Sequence, residues 1–275
     1  MLDFTIKIAV LVIIIAIMAI LFLVWNQDKM IFFPEKLKAD HVFQFPFPFE
    51  EFALETEPGV VLNAIHAKTE TDNDASADRA TKGVVFYLHG NAGSLDSWGD
   101  AALPFLKRNQ DVFIYDYRGY GKSTGLTDNE STLLSDAAQL FETLEKQYAT
   151  ENITIYGRSL GTGIACHLAQ GKNIHALVLE TPYRSFTRLV KHYYPFVPSL
   201  LMKYHLNAEQ FLKNVTSKIA IIHGTDDEII PFQHAVKLAE SHPGCVFYRV
   251  KGGHHNDLSI FDEHEKMLDD VFLNE

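Results

Sequence analysis

The stretch Asn152–Ala165, which reads NITIYGRSLGTGIA, decides the fold class of this chain. Its first five residues favour a strand, whereas the small residues from Gly161 onward predict a helix packed closely on a sheet. The G-x-S-x-G turn between them, Gly157 to Gly161, is the sharp strand-to-helix turn that exposes a serine hydroxyl. The N–H groups at the start of a helix favour negative charge nearby. Ser159 is therefore predicted to be a nucleophile.

Strands and helices alternate through the chain from Val60 onward. The predicted strands are Val60–Ala67, Gly83–His89, Asp111–Tyr117, Asn152–Tyr156, Ile174–Glu180, Lys218–His223 and Cys245–Val250. The predicted helices are 96–109, 130–149, 160–170, 232–242 and 257–273. Several strands are apolar almost throughout, which is typical of a parallel sheet covered on both faces. We predict an α/β fold with a mainly parallel central sheet and functional loops at the carboxyl ends of its strands.

The composition excludes several classes of protein. The 275 residues carry 24 Lys and Arg against 35 Asp and Glu, so the net charge is −11 and nucleic acid is not an expected partner. The two cysteines, Cys166 and Cys245, exclude a disulfide scaffold and a cysteine-based zinc site. The thirteen histidines include no close helical pair of the zinc-binding kind. We expect neither a metal nor another cofactor.

Residues 1–25 form a candidate membrane anchor. Every residue from Ile8 to Trp25 is apolar, and a helix of this length spans roughly 27 Å, close to the hydrocarbon thickness of a bilayer. The competing interpretations are a cleaved signal peptide and a buried helix, but no small-residue cleavage pattern follows the apolar run. We predict a single-pass membrane protein. The side of the membrane stays open, because the excess of lysines after the span is small.

A connector and one large domain are predicted after the anchor. Residues 26–50 contain the run FPFPF at 45–49, which is extended because proline excludes a helix. This connector either packs on the domain or touches a membrane surface. Residues 51–275 form the predicted α/β domain, in which the polar stretch 69–82 indicates a loop.

Residues 181–216 follow the predicted strand that ends at Glu180, and we predict that they form a small helical cap above the serine. Pro195 and Pro198 interrupt any long helix in this segment. Its large apolar side chains either line an acyl pocket or only pack the cap onto the domain. These residues are Phe186, Tyr193, Tyr194, Phe196 and Leu200. The cap is too short for a full lid domain, which predicts a fairly open site.

An attacked carbonyl develops a negative oxygen, so hydrogen-bond donors must be placed near the serine. The backbone N–H of Leu160, directly after the nucleophile, is the first candidate. The second is expected in the loop after the strand Gly83–Leu88, which reads HGNAG, and we assign it to Asn91. His89 is predicted to orient this loop rather than to act as a base.

The remaining catalytic groups are expected after the last two strands, in the order acid and then histidine. The loop after Lys218–His223 offers Asp226, Asp227 and Glu228 for the acid. The loop after Cys245–Val250 offers His254 and His255 for the base. Spacing alone does not separate these candidates.

Taken together, these motifs resemble the α/β-hydrolase superfamily, and in particular its membrane-anchored, bud-emergence-type serine hydrolase branch, over roughly residues 26–270. The motifs are HGNA at 89–92, DYRGYGKS at 116–123, GRSLG at 157–161, HGTDDEIIP at 223–231 and GHHND at 253–257. The resemblance implies that Asp227 is the acid and that His255, before Asn256, is the base. His254 stands where that branch usually has glycine, so His254 stays as an alternative base. Asp226 stays as an alternative acid.

The resemblance implies a membrane-anchored serine hydrolase of the carboxylesterase or thioesterase kind. It would cleave ester or thioester bonds through a Ser159–His255–Asp227 triad and an acyl-enzyme, without a cofactor. The expected substrate is a small-molecule ester, a lipid or an acylated protein. The alternatives are a serine peptidase of the same fold and a non-catalytic membrane scaffold.

Overall fold

The structure, a computed structural model, describes residues 2–69 and 83–273, so the predicted loop lies outside the described residues except for Thr69. The strands are β1 (Phe33–Pro34), β2 (Phe49–Glu57), β3 (Val60–Ala67), β4 (Gly83–Leu88), β5 (Ala92–Gly93), β6 (Gln110–Tyr115), β7 (Ile153–Arg158), β8 (Ala176–Glu180), β9 (Lys218–Gly224) and β10 (Val246–Val250). The α-helices are α1 (Leu2–Trp25), α2 (Gln27–Ile31), α3 (Leu95–Trp98), α4 (Leu103–Leu106), α5 (Glu130–Glu145), α6 (Gly161–Leu168), α7 (Phe186–Tyr193), α8 (Ala208–Phe211), α9 (Gln233–Ser241) and α10 (Asp262–Phe272). Short 3₁₀ turns lie at Gly99–Ala102, Thr150–Asn152, Ser199–Leu201, Leu212–Asn214 and Leu258–Ile260.

The central sheet has eight strands in the order β10-β9-β8-β7-β4-β6-β3-β2. The strands from β10 to β6 in this order run parallel, and β3 and β2 extend the sheet in antiparallel fashion at one edge. β4 lies between β6 and β7, so the order of the strands reverses at β4. The carboxyl ends of β4 and β7 are therefore adjacent, and such a reversal is where open α/β sheets form binding sites.

Apolar side chains pack against both faces of the sheet. One layer is built with α5, α6 and α9 and includes Phe141, Ile164 and Leu238. The other is built with α4 and α10 and includes Phe105 and Met267. β4 and β6 are buried at every position, which explains why their sequences are so apolar. The predicted mainly parallel sheet with helices on both faces is confirmed.

The segment between the anchor and the sheet contains two elements that the sequence did not predict. α2 is helical, and β2 is an edge strand that begins inside the expected connector. Phe43 is buried, and the rings of Phe45 and Phe47 stack with centroids 5.4 Å apart. Phe45 also fills the space beside Gly99, where an added Cβ would lie 2.1 Å from its ring. The phenylalanine run thus packs on the domain.

By length and composition, α1 is long and apolar enough from Phe4 to Trp25 to cross a membrane. None of the residues in its most apolar 18-residue stretch is buried. Asn26 alone separates α1 from α2, and it bridges them by backbone hydrogen bonds to Phe22 and Met30. β1 then pairs in parallel with β5, in the loop after β4. The chain leaving the apolar helix is therefore bound directly to one of the loops at the end of the sheet.

Candidate active site

Ser159 occupies the turn between β7 and α6. Its φ of +50° lies in the left-handed region, which costs a non-glycine residue on the order of 1–3 kcal/mol. The N–H of Ser159 donates to the carbonyl of Glu180 at the end of β8 over 2.9 Å, which holds the strained turn. Ser159 stays partly exposed at the N-terminus of α6, as a nucleophile requires.

Two glycines of the turn are required by close packing. A Cβ at Gly161 would lie 2.1 Å from the carbonyl oxygen of Leu88, at the end of β4. A Cβ at Gly157 would lie 2.7 Å from the Cβ of Ala165 in α6. Real Cβ atoms do not approach other atoms so closely, so the G-x-S-x-G spacing is what lets α6 lie against the end of the sheet.

Ser159, His255 and Asp227 lie in one hydrogen-bonded row. The Ser159 Oγ is 3.0 Å from His255 Nε2, and His255 Nδ1 is 2.8 Å from Asp227 Oδ2. A carboxylate accepts from Nδ1–H, so the facing Nε2 is free to accept the serine proton. The row spans three loops, those after β7, β9 and β10, and it has the geometry of a nucleophile, a base and an orienting acid.

Asp227 is held as a carboxylate by its surroundings. Burial alone would raise its pKa, but hydrogen bonds from His223 and His255 outweigh burial and hold the pKa of Asp227 well below its usual range. Its second oxygen accepts from the backbone N–H groups of Ile229 and Ile230 at 2.8 and 2.7 Å. These contacts fix both the charge and the direction of the carboxylate that faces His255.

The candidate oxyanion donors lie in adjacent loops. In ranges 2–69 and 83–273, no backbone carbonyl accepts from the N–H of Asn91 or of Leu160. The other groups of Asn91 are occupied, since its side chain donates to the carbonyl of Ile31 at 2.9 Å and its carbonyl accepts from Tyr120 Oη at 2.6 Å. A Cβ on Gly90 would lie 3.8 Å from the Ser159 Cβ, which places this loop beside the serine.

The alternative acid and base lie apart from Ser159. His254 is exposed, and its Nδ1 is 3.2 Å from the carboxylate of Glu228. That partner raises the pKa of His254. Asp226 is also exposed and accepts a hydrogen bond from the Thr225 hydroxyl at 2.8 Å. Consecutive residues in these loops point in different directions, so only one of each pair faces the serine.

Two supporting residues were not identified from the sequence. His223 Nε2 lies 3.0 Å from Asp227 Oδ2 and 2.8 Å from the carbonyl of Ile230, so it must carry a proton and donate to the acid loop. Arg158 packs over the ring of Trp98, and its guanidinium is 3.2 Å from the side-chain oxygen of Asn256, next to His255. Both lie inside the motifs quoted above, but neither motif states what its side chain contacts.

The predicted lining residues of the cap separate into two groups. Phe186, Tyr193 and Tyr194 face a cavity between the cap and the start of the chain. Phe196 and Leu200 instead face outward, with 61% and 92% of their surface exposed. Among residues 2–69 and 83–273, no group of three His, Cys, Asp or Glu side chains is placed to hold a metal ion.

The chain is similar in sequence to known proteins. Residues 83–199 match the family model described as the alpha/beta hydrolase fold. The chain is 30% identical to alpha/beta hydrolase domain-containing protein 17C of Xenopus tropicalis, over 82% of this chain and 70% of that protein. The chain belongs to the α/β-hydrolase family. This α/β-hydrolase is also 29% identical to an uncharacterized protein of Acanthamoeba polyphaga mimivirus, over 91% of this chain and 93% of that one.

The fold is shared with solved structures as well. An esterase of Pyrococcus furiosus superposes with a TM-score of 0.66 at 17% identity, covering 88% of this α/β-hydrolase and 97% of the esterase. An α/β-hydrolase of Vibrio vulnificus gives a TM-score of 0.63 at 22% identity, covering 81% of each chain. At these identities the superpositions establish the fold alone, and the family supports hydrolysis as the general activity.

Proposed function

We propose that this α/β-hydrolase is a membrane-anchored serine hydrolase that cleaves carboxylic ester or thioester bonds. The observation that carries the proposal is the row from Ser159 Oγ through His255 to Asp227, with spacings of 3.0 and 2.8 Å. These distances are within the reach that proton transfer requires. The strained, partly exposed serine at a helix N-terminus supports the same function.

The proposed reaction has two halves, acylation and deacylation of Ser159, and His255 transfers a proton in each. His255 Nε2 takes the proton as Ser159 Oγ attacks the carbonyl carbon, and the N–H groups of Leu160 and Asn91 donate to the resulting oxyanion. His255 then gives the proton to the leaving alcohol or thiol, which leaves an acyl group on Ser159. Water, deprotonated by His255, releases the acid and restores the serine. Asp227 stays ionised throughout and stabilises the imidazolium.

The proposed location is a bilayer, with α1 as the single span. The support is the exposed, uninterrupted apolar surface of α1 and its direct continuation into α2. Such a location favours a lipid ester or the thioester of an S-acylated protein as the substrate, because anchoring concentrates the enzyme where these substrates lie.

An activity-based probe tests the function. A fluorophosphonate should label the purified full chain in detergent, because it reacts with a serine that a neighbouring base activates. Ser159→Ala should keep the circular dichroism spectrum and lose all labelling. Ser135→Ala, which removes an exposed hydroxyl on α5, is the matched control and should label normally. A folded wild-type chain that does not label would instead favour the non-catalytic scaffold.

A further inference from the structure

A cavity of about 220 Å³ lies between the cap and the first helices of the chain. One wall belongs to α1 and α2, through Leu23, Val24, Met30 and Ile31. The opposite wall belongs to the cap, chiefly to α7, through Phe186, Leu189, Val190 and Tyr193. The apolar helix is thus part of a cavity in the catalytic domain and not only a segment that precedes it.

The walls offer almost nothing to a polar ligand. Apart from tyrosine hydroxyls, Gln27 is the polar side chain in the lining, and its amide is already bound on both sides. Its Nε2 donates to the carbonyl of Leu201 at 2.8 Å, and its Oε1 accepts from the N–H of Lys203 at 2.8 Å. The Tyr193 hydroxyl is likewise used, since it donates to the carbonyl of Ile229 at 2.8 Å. The cavity therefore suits hydrocarbon.

Two residues in the cavity lining contact loops of the candidate active site. Ile229, in the lining, follows Asp227 by two residues, and its N–H binds that carboxylate. Ile31, also in the lining, accepts through its carbonyl from the side chain of Asn91. Two lining residues are thus hydrogen-bonded to the loops of Asp227 and Asn91, and the loop of Asn91 lies beside Ser159.

The cavity lining also includes the last turn of the apolar span of α1. Leu23 and Val24 are the last turn of that span, and the cap beside them carries exposed apolar side chains, Phe196 and Leu200. Lys203 forms an ion pair with Asp28 at 2.6 Å, which holds this part of the cap against α2. A bilayer that surrounds α1 would therefore lie next to this part of the cap and to the cavity wall that α1 forms.

We propose that the anchor forms one wall of the substrate site, so that a long acyl chain enters sideways from the bilayer between α1 and the cap. The proposal rests on the proposed hydrolase function, and it adds the path by which the acyl chain enters and the residues that line this path. The occupant is a fatty acyl chain, because the cavity is apolar, is lined by the last turn of the apolar helix, and includes Ile229, whose N–H binds the Asp227 carboxylate. Each methylene buried there is expected to improve kcat/KM by about fourfold until the cavity is full.

The test uses the full chain and p-nitrophenyl esters with acyl chains of increasing length. Met30→Trp on the anchor side and Val190→Trp on the cap side each fill the cavity without touching Ser159, His255 or Asp227. Both should lower the ratio of kcat/KM for long-chain esters to kcat/KM for acetate at least tenfold. Lys191→Trp, on the exposed opposite face of α7, is the matched control and should leave the whole profile unchanged.

A second arm tests the route. The long-chain ester is presented either in phosphatidylcholine vesicles that hold the protein or on a soluble cyclodextrin carrier. Faster turnover from the vesicles, lost in Met30→Trp, supports entry from the bilayer, whereas equal rates from both sources would overturn it. A wild-type profile that is flat with chain length, or unchanged in both cavity variants, would also overturn the proposal. Absence of labelling and of all ester turnover would instead refute the proposed function.

Discussion

Two buried histidine–aspartate pairs flank the region of Ser159, and their electrostatics are opposite. In the pair His255–Asp227, the carboxylate accepts from two histidines and two backbone N–H groups, and its pKa is lowered. In the pair His89–Asp116, the nearest atoms are 3.7 Å apart, and neither Asp116 oxygen has a hydrogen-bond partner among the described residues. Burial accordingly raises the pKa of Asp116 to about 7 and lowers that of His89 to about 4.

The difference shows that donors, rather than residue types, decide what a buried carboxylate does. Asp227 stays charged, so it can orient and stabilise a neighbouring imidazolium. Asp116 is mostly neutral below about pH 7, and the lowered pKa of His89 keeps that imidazole neutral above about pH 4, so the two do not form a charged pair. His89 instead packs 4.2 Å from the ring of Tyr117 and keeps its Nδ1 within 2.7 Å of the carbonyl of Gly90. The second pair thus fits a structural role beside the loop of Asn91.

The largest expected effect comes from removing the charged pair's histidine. His255→Ala should lower kcat for ester hydrolysis by on the order of 10⁶-fold, because the serine then lacks a base. The protein should still fold, since no strand or helix depends on this side chain. Steady-state kinetics on purified protein measure the loss. Activity within tenfold of wild type would show that another group deprotonates Ser159.

The neutral pair should respond in stability rather than in chemistry. Because the folded-state pKa of Asp116 is raised, its favourable contribution is present at low pH and is lost as pH rises through about 7. Asp116→Asn removes this loss and should stabilise the fold at pH 8 by up to roughly 4 kcal/mol, but little at pH 4. Urea unfolding at both pH values, with the exposed Asp100→Asn as control, measures the difference. A pH-independent difference would contradict the neutral state of Asp116.

The smallest effect is expected at the histidine next to His255. His254 is exposed and is paired only with Glu228 across 3.2 Å, and such surface pairs contribute little. His254→Ala should therefore keep kcat within about twofold of wild type under the same assay. A loss comparable with that of His255→Ala would transfer the role of base to His254.

Much of the fold was readable from the sequence, because parallel strands buried on both faces are apolar throughout. β4 and β6 are of this kind, and they were predicted to within one or two residues. β2 was missed because it is an edge strand, in which half-buried residues alternate with exposed glutamates, and it follows the proline-rich run directly. From the sequence alone, such an alternating strand next to prolines resembles a polar, extended connector.

The candidate site was readable in part. The turn around Ser159 has a local cause, since glycine is needed within a few residues of the serine on both sides. The choice of His255 over His254 came from a family resemblance, because neighbouring residues in a loop have no fixed direction that spacing could reveal. The cavity beside the site was not predicted. It depends on contacts such as that between Gln27 and Lys203, 176 residues apart, which leave no local pattern.

The pairing of β1 with β5 has a mechanical consequence. A single residue separates α1 from α2, and β1 pairs with the loop that carries Asn91, so the connection between α1 and the α/β domain is short. If α1 spans a bilayer, this short connection restricts the heights above the membrane that Ser159 can occupy. A substrate would then be cleaved only where its ester or thioester bond lies within that range of heights.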